Sequence, residues 1–398
     1  MVTDTRPSGW PALSYEERPW KIPDGISRTE RRKLSTIYTA AVVPEIAKID
    51  RIPLPGEVEA VVAEASAEIA RFDAEVGADI APLSAILLRS ESAASSKIEN
   101  LTASAKAIAL AELGDPSRRN AAVIVANTHA MQAAIALADH LDETAILQMH
   151  SALVEPTHPE WCGHWRDEQV WIGGSNAGPF GALYVAPHHE HVPGLMRDLV
   201  RFLDRDDLPL LTQAAIAHAQ FETIHPFPDG NGRVGRALIH ALLRGKGLTR
   251  QVTVPVSAGL LVDTDGYFAA LDEYRLGDPT PLVHRLADAS FAAIANGRTL
   301  VRELHELRDS WDERVKARRG ATAWSVADLL LRQPVIDSAL IQAELEVPAM
   351  TANRAVEALV DAKILTKVSG NYRDRKWAAN EVLTALDTFA SRAGRRGG

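Results

Sequence analysis

The twelve residues His225-Pro226-Phe227-Pro228-Asp229-Gly230-Asn231-Gly232-Arg233-Val234-Gly235-Arg236 constrain this 398-residue chain more than any other segment. Upstream, Ala214, Ala217, His218, Phe221 and Ile224 recur at helical spacing, so one face of a helix over Leu211 to Ile224 is buried. That helix must stop at His225, because Pro226 and Pro228 cannot continue it. Downstream, Leu238, Ile239 and Leu242 supply the apolar face of a second helix over Arg233 to Leu243, starting near Gly232. The chain therefore turns between two core helices through a short loop rich in glycine. Its amides lie at a helix amino terminus, where unpaired N–H groups and the helix dipole favour an anion.

Phosphate suits such a site, and the polar residues of the loop suit phosphate chemistry. Asp229 offers a hard oxygen ligand of the kind Mg²⁺ takes beside phosphate oxygens and waters. Arg233 and Arg236, three apart on one helical face, can fork onto phosphate oxygens, and Asn231 can donate without adding charge. His225 is the group in the loop that titrates near neutrality and so the candidate general base. A base, a metal ligand, an anion nest and two arginines fit phosphoryl or nucleotidyl transfer. A Walker-type phosphate loop is absent.

The stretch resembles the signature of the Fic family, His-Pro-Phe-x-Asp/Glu-Gly-Asn-Gly-Arg-x-x-Arg, and all nine fixed positions are matched. The resemblance implies a helical Fic core and transfer of AMP from Mg²⁺-bound ATP to a Ser, Thr or Tyr hydroxyl of a protein, the chain itself included. It casts His225 as the base, Asp229 as the Mg²⁺ ligand, and Gly230, Asn231 and Gly232 with Arg233 as the phosphate cradle. Arg236 would take the γ-phosphate end, and Tyr267 would line the nucleobase pocket, next to Phe268. Arg275 stands where some members have Asn, a departure on the adenine side.

Upstream, Ser95-Ser96-Lys97-Ile98-Glu99-Asn100 is similar to the family's inhibitory motif, Ser/Thr-x-x-x-Glu-Gly/Asn. There the resemblance implies that Glu99, with Ser95 and Asn100, pairs with Arg236 and keeps ATP in an unproductive pose. Trp161 to Pro187 mixes glycines with β-prone residues and reads as a hairpin. Its Ile172, Gly173, Leu183 and Tyr184 resemble the Fic flap, which aligns a target segment by strand addition. Gly163-His164-Trp165-Arg166 resembles the segment leading into it. His188, His189 and His191 lack the His-Glu-x-x-His pattern and lie in a loop framed by Pro187 and Pro193.

The expected fold is mainly α: a helical core with a small β-hairpin flap and a winged helix-turn-helix module at the carboxy end. Residues 1–115 read as a helical region with the inhibitory motif, 116–299 as the catalytic core, 300–320 as a linker helix and 321–398 as the winged helix. Met1 to Gly25 reads as an extended arm. Ser27 caps a helix over Arg28 to Ala47, others cover Glu57 to Glu75 and Leu83 to Glu112 (interrupted near Asn100), and a last charged one runs from Leu300 to Ala317. In the terminal module, short helices cover Ser325 to Leu331, Ile336 to Glu344 and Ala349 to Ala362, with a wing over Ile364 to Trp377.

Partners follow from charge. The net charge of −9 argues against a chain-wide nucleic-acid coat. The terminal module carries ten basic and nine acidic residues, a net +1. Thr351, Asn353, Arg354, Arg373, Arg375 and Lys376 could face DNA, and protein docking or a homodimer weighs equally. One cysteine, Cys162, rules out an internal disulfide, and no run approaches the ~18 apolar residues of a membrane span. The reading is a cytoplasmic enzyme without a membrane partner. Two rivals stand beside it: the reverse, AMP-removing hydrolysis at the same site, and a nucleotide-sensing DNA-binding regulator.

Overall fold

The computed structural model describes residues 9–22, 34–77, 82–115, 117–174, 178–369 and 375–394. In chain order the elements are β1 (Ser14–Pro19), β2 (Ile37–Val42), α1 (Gly56–Gly77), α2 (Pro82–Ile98), α3 (Ala105–Glu112), α4 (Arg119–Ala136) and α5 (Glu143–Val154). There follow β3 (Trp171–Ile172), β4 (Tyr184–Val185), α6 (Val192–Leu203), α7 (Leu210–Ile224), α8 (Asn231–Gly245), α9 (Val256–Leu260), α10 (Thr264–Arg275) and α11 (Thr280–Arg314). The chain ends with α12 (Thr322–Arg332), β5 (Val335–Asp337), α13 (Ser338–Leu345), α14 (Ala349–Asp361), β6 (Thr366–Ser369), β7 (Lys376–Ala378) and α15 (Asn380–Ala393). The fold is mainly helical, as the apolar periodicity predicts. Among the described residues, no helix is long and apolar enough to cross a membrane.

Two compact units share the chain. The first combines residues 1–66, 133–247 and 265–287. At its centre α7 packs on α8 and α6. Every α7 residue from Leu211 to Ile224 is buried. Gly235 makes the α7–α8 crossing close: a Cβ there would lie 3.0 Å from the Phe221 ring and 3.1 Å from His218 Nδ1. Asp198 of α6 is 1% exposed and accepts the N–H groups of Ile46 and Ala47 at 2.6 and 3.2 Å, tying the segment after β2 to this bundle.

The second unit combines residues 67–132, 248–264 and 288–398. Here α2 packs against α9 and α12, and two buried carboxylates fix its connections. Asp73 accepts the N–H groups of Arg250, Gln251 and Val252, and Glu91 accepts the Ser257 N–H at 2.8 Å and its hydroxyl at 2.5 Å. The carboxy-terminal part orders its elements as helix, strand, two helices, two strands and a helix. The strands form one antiparallel sheet in the order β5-β7-β6.

Several elements depart from the sequence reading. Ser27 and residues 28–33 lie outside the described residues, but the rest of the expected Arg28–Ala47 helix contains a strand, β2. Ile37, Tyr38, Thr39 and Val42 are β-prone, and the extended arm supplies the partner strand in the register Ser14↔Val42 to Pro19↔Ile37. The charged helix begins at Thr280, not Leu300. Gly297 lies inside it, and a Cβ there would be 3.0 Å from the Phe72 ring, so the glycine serves close packing within a continuous helix. Ile336 belongs to β5, and α13 starts at Ser338 because the Asp337 carboxylate caps the Leu340 N–H at 2.8 Å. The sheet of this segment therefore has three strands where two were expected, and α15 was not foreseen. Gly370 and Tyr372 to Asp374, with Arg373, lie outside the described residues.

A methyl group at Gly245, the last residue of α8, would sit 2.1 Å from Ala138 O. Backbone cannot yield as a side-chain tip can, so Gly245→Ala should destabilise the protein by about 1–3 kcal/mol. Thermal denaturation checks this, and an unchanged Tm would contradict the packing.

A candidate anion-binding loop between two buried helices

The loop begins where α7 ends. His225 takes the left-handed conformation (φ 52°, ψ 61°) while its N–H still bonds Phe221 O at 2.9 Å. Pro226 bars its predecessor from the helical region, so the chain must leave the helix here. The imidazole Nδ1 donates to Glu222 O at 3.3 Å, and the Glu222 carboxylate lies 4.0 Å from the same nitrogen. Nε2 is then the ring nitrogen with the lone pair, which is what a general base needs. The side chain keeps 17% exposure, enough for a reactant to reach it.

Phe227 anchors the middle of the loop. Its ring is fully buried, stacked on His150 at 3.6 Å with 1° between the planes, and flanked by Trp165 and Phe221. Asn231 closes the turn from the other end: its Oδ1 accepts the Phe227 N–H at 2.9 Å and its Nδ2 donates to Phe227 O at 2.8 Å. The side chain is 2% exposed, so its place is in the loop's own backbone rather than at its mouth. Gly230 also takes a left-handed turn (φ 86°), and a Cβ there would meet Leu153 Cδ2 at 2.7 Å. From Asn231 onward α8 runs away from the loop, and its first-turn amides face back toward it.

The charged groups divide by exposure. Asp229 is 67% exposed and its carboxylate lies 3.3 Å from the Arg233 guanidinium, itself 7% exposed. Arg236 is 1% exposed. His218, one helix over, donates or accepts at Nε2 with the Tyr267 hydroxyl at 2.7 Å. Burial, and then the Arg236 charge, push His218 down to about 3, so it is neutral. Tyr267, expected at the nucleobase pocket, is thus a core residue, 1% exposed, with its hydroxyl spent on His218. Phe268 beside it is exposed.

Two residues that sequence reasoning did not single out, His150 and Arg166, hold the loop, and a third, Thr223, joins α7 to the hairpin. His150 Nε2 donates to Asp229 O at 3.1 Å, and burial lowers the ring to about 4, against a weaker upward pull from that same bond. Arg166 is 3% exposed, and its guanidinium donates to His225 O at 2.8 Å, Glu168 O at 2.7 Å and Pro187 O at 2.6 Å. Burial pushes it down to about 10, which leaves it charged at neutral pH. Thr223 offers its carbonyl to the Tyr184 hydroxyl at 2.6 Å. The signal for Arg166 was faint: the segment Gly163 to Arg166 stood out only as a lead-in to the hairpin.

That hairpin is present as β3 and β4, paired Trp171↔Val185 and Ile172↔Tyr184. Gly173 (φ 76°) starts the turn, and residues 175–177 lie outside the described residues. Leu183 is 88% exposed and Ile172 36%. Tyr184 turns inward instead. It is 7% exposed, donates its hydroxyl to Thr223 O of α7 and stacks under the Arg275 guanidinium of α10 at 3.9 Å, so it anchors the hairpin to both helices.

The Ser95–Asn100 segment belongs to the second unit. Ser95 and Ser96 are fully buried, Glu99 is exposed, and Asn100 is left-handed (φ 61°). Ser96 O accepts from both Glu99 N and Leu101 N, and the buried Asn127 amide holds Ser92 O at 2.9 Å and Ser96 Oγ at 3.1 Å. Glu99 therefore stands on a firmly held helix end. In the carboxy-terminal part, Asn353 and Arg354 are exposed on α14, Thr351 is half-buried, and Arg375 and Lys376 are half-buried at the start of β7. His191 bonds Glu16 and Arg18, and among the described residues no group of three or more His, Cys, Asp or Glu could hold a metal ion.

A helix amino terminus, a neighbouring imidazole, an exposed carboxylate and two buried arginines form an arrangement that could receive a phosphate group. Residues 140–243 match the family model described as Fic/DOC family. The chain is 32% identical to the protein adenylyltransferase fic-1 of Caenorhabditis elegans over 159 residues, 39% of this chain and 28% of that protein. It is 40% identical to the probable protein adenylyltransferase aq_aa38 of Aquifex aeolicus over 93 residues, 21% of this chain and 29% of that protein. The matches thus span less than a third of either relative's length. A crystal structure of a Fic family protein from Desulfovibrio desulfuricans G20 shares the fold, with a TM-score of 0.52 and 21% identity over 82% of this chain and 97% of that one.

His150 ties the loop's stability to pH. Its folded pKa of about 4 lies below the ordinary 6.5, so the unfolded state binds more protons between the two. The resulting stabilisation is complete above pH ~6.5 and is lost as pH falls toward ~4. His150→Gln should flatten the pH dependence of Tm over that window relative to the parent protein. Parallel curves would refute the burial argument.

Proposed function

We propose that the protein transfers AMP from ATP to a hydroxyl group of a protein, and that Glu99 restrains the reaction. The observation that carries this reading is the juxtaposition, in one loop, of His225 with the first turn of α8 and Arg233. Further support comes from the relatives named protein adenylyltransferases. In the reaction His225 Nε2 takes the proton of the acceptor hydroxyl. The oxygen attacks the α-phosphorus, the bond to the β-phosphate breaks, and pyrophosphate leaves. Amides at Gly230 to Arg233 and the guanidinium of Arg233 face the negative charge that builds on the phosphates.

Mg²⁺ fits the residues present. Asp229 is a solvent-facing carboxylate beside the phosphate cradle, and Mg²⁺ commonly takes one or two carboxylates with phosphate oxygens and waters. When bound there it would neutralise phosphate charge. Glu99 is assigned the restraint on the spacing of Ser95 to Asn100 and on the rigid turn that carries it. In the family that the motif resembles, such a carboxylate competes with the γ-phosphate for an arginine of the loop. The exposed edge around Ile172 and Leu183 is the proposed place for a target segment.

Glu99→Gly should raise incorporation of label from α-labelled ATP, self-modification included, by about tenfold or more, if a pairing worth about 1.4 kcal/mol or more is lost. Adding His225→Ala to that variant should abolish incorporation, and intact-mass measurement with each Mg²⁺–nucleoside triphosphate identifies the group attached. Equal labelling of Glu99→Gly and the parent would refute the restraint. Labelling that survives His225→Ala would refute the assigned base.

A further inference from the structure

A left-handed histidine in front of a proline is a strained link, and a helix that ends in the core leaves its last carbonyls in need of donors. Arg166 meets both demands. Its Nε donates to His225 O at 2.8 Å and one terminal nitrogen lies 3.5 Å from Ile224 O, while its own N–H donates to Pro226 O at 3.0 Å. Three consecutive carbonyls across the helix end thus converge on one residue. The rest of the guanidinium reaches Glu168 O and Pro187 O, on either side of the β3–β4 hairpin. A cation at a helix carboxy terminus also meets the negative end of the dipole. Only a planar fork can serve acceptors in three directions at once, and a lysine ammonium at the same depth could not.

We propose that Arg166 is a positioning residue for the transfer reaction: by clasping the carbonyls of Ile224, His225 and Pro226 it fixes the direction in which the His225 imidazole is presented. It touches neither nucleotide nor acceptor in this scheme, and acts only through the backbone that carries the base. The same clasp joins the base to the hairpin, so a target segment laid along that edge would meet an imidazole of fixed orientation. The effect on rate rests on the AMP-transfer reading, whereas the effect on loop conformation stands without it.

The test uses the full chain carrying Glu99→Gly, with Arg166→Ala and Arg166→Lys added separately. A loosened base should lower kcat for self-modification by about tenfold to a hundredfold. KM for ATP should stay nearly constant, because the phosphate cradle lies beyond the clasp. Hydrogen exchange at the amides of residues 225–232 should accelerate in both variants, while that of α6 holds. Added guanidinium ion should restore part of kcat in Arg166→Ala, where the fork's place is vacant, and not in Arg166→Lys. Parental kcat together with parental exchange in the loop would overturn the proposal. So would a loss of kcat matched by a rise in KM, without rescue in Arg166→Ala. If Arg166→Ala fails to fold, Arg166→Lys carries the same comparison of kcat, KM and loop exchange. Should the Glu99→Gly parent transfer no AMP, the functional reading fails by itself, and loop exchange still decides whether Arg166 sets the conformation.

Discussion

The chain reverses between two buried helices within six residues, from His225 to Gly230, and the site depends on how that reversal is held. Two left-handed residues bound it, His225 and Gly230, and only the glycine adopts that conformation at little cost. Compensation comes from packing and from hydrogen bonds to the backbone. Phe227 is plugged into the core, Asn231 bonds both the N–H and the carbonyl of Phe227, and His150 holds Asp229 O. Each of these contacts uses buried groups, so the amides of the first turn of α8 are fixed before any ligand arrives. Preorganised donors of this kind are worth most where water is excluded.

The same economy explains the division of labour among the charged residues. Arg166 and Arg236 are almost wholly buried, whereas Asp229 faces solvent. Burial makes a guanidinium rigid and costly to leave unpaired, which suits groups that set geometry. Exposure suits a carboxylate whose partner would come and go with the nucleotide. His218 and His150 are held neutral by burial, whereas the His225 side chain keeps 17% exposure at the end of α7.

Much of the site could be read from the chain because its chemistry is contiguous. Proline at 226 and 228, glycine at 230 and 232, and arginine at 233 and 236 each act on near neighbours, and local rules suffice for them. Contacts between distant segments were not legible in the same way. Nothing in the string around Arg166 announces that three carbonyls sixty residues away will converge on it. Tyr267 was expected at the nucleobase pocket and Tyr184 on the flap, yet each bonds a buried partner through its hydroxyl. Helical patterning failed where tertiary pairing decided. The segment Ile37–Val42 found a strand partner, Ile336 joined a sheet closed by β7, and Gly297 sat inside a helix because Phe72 needed the room.

The central claim is that this loop seats a triphosphate against the first turn of α8, beside His225. A crystal structure of the full chain grown with Mg²⁺ and a non-hydrolysable ATP analogue tests it most directly. The account predicts phosphate oxygens within hydrogen-bond distance of the amides of residues 230–233, the cation on Asp229, and His225 Nε2 facing the α-phosphate. A nucleotide bound elsewhere, with the loop unchanged and empty, would contradict it.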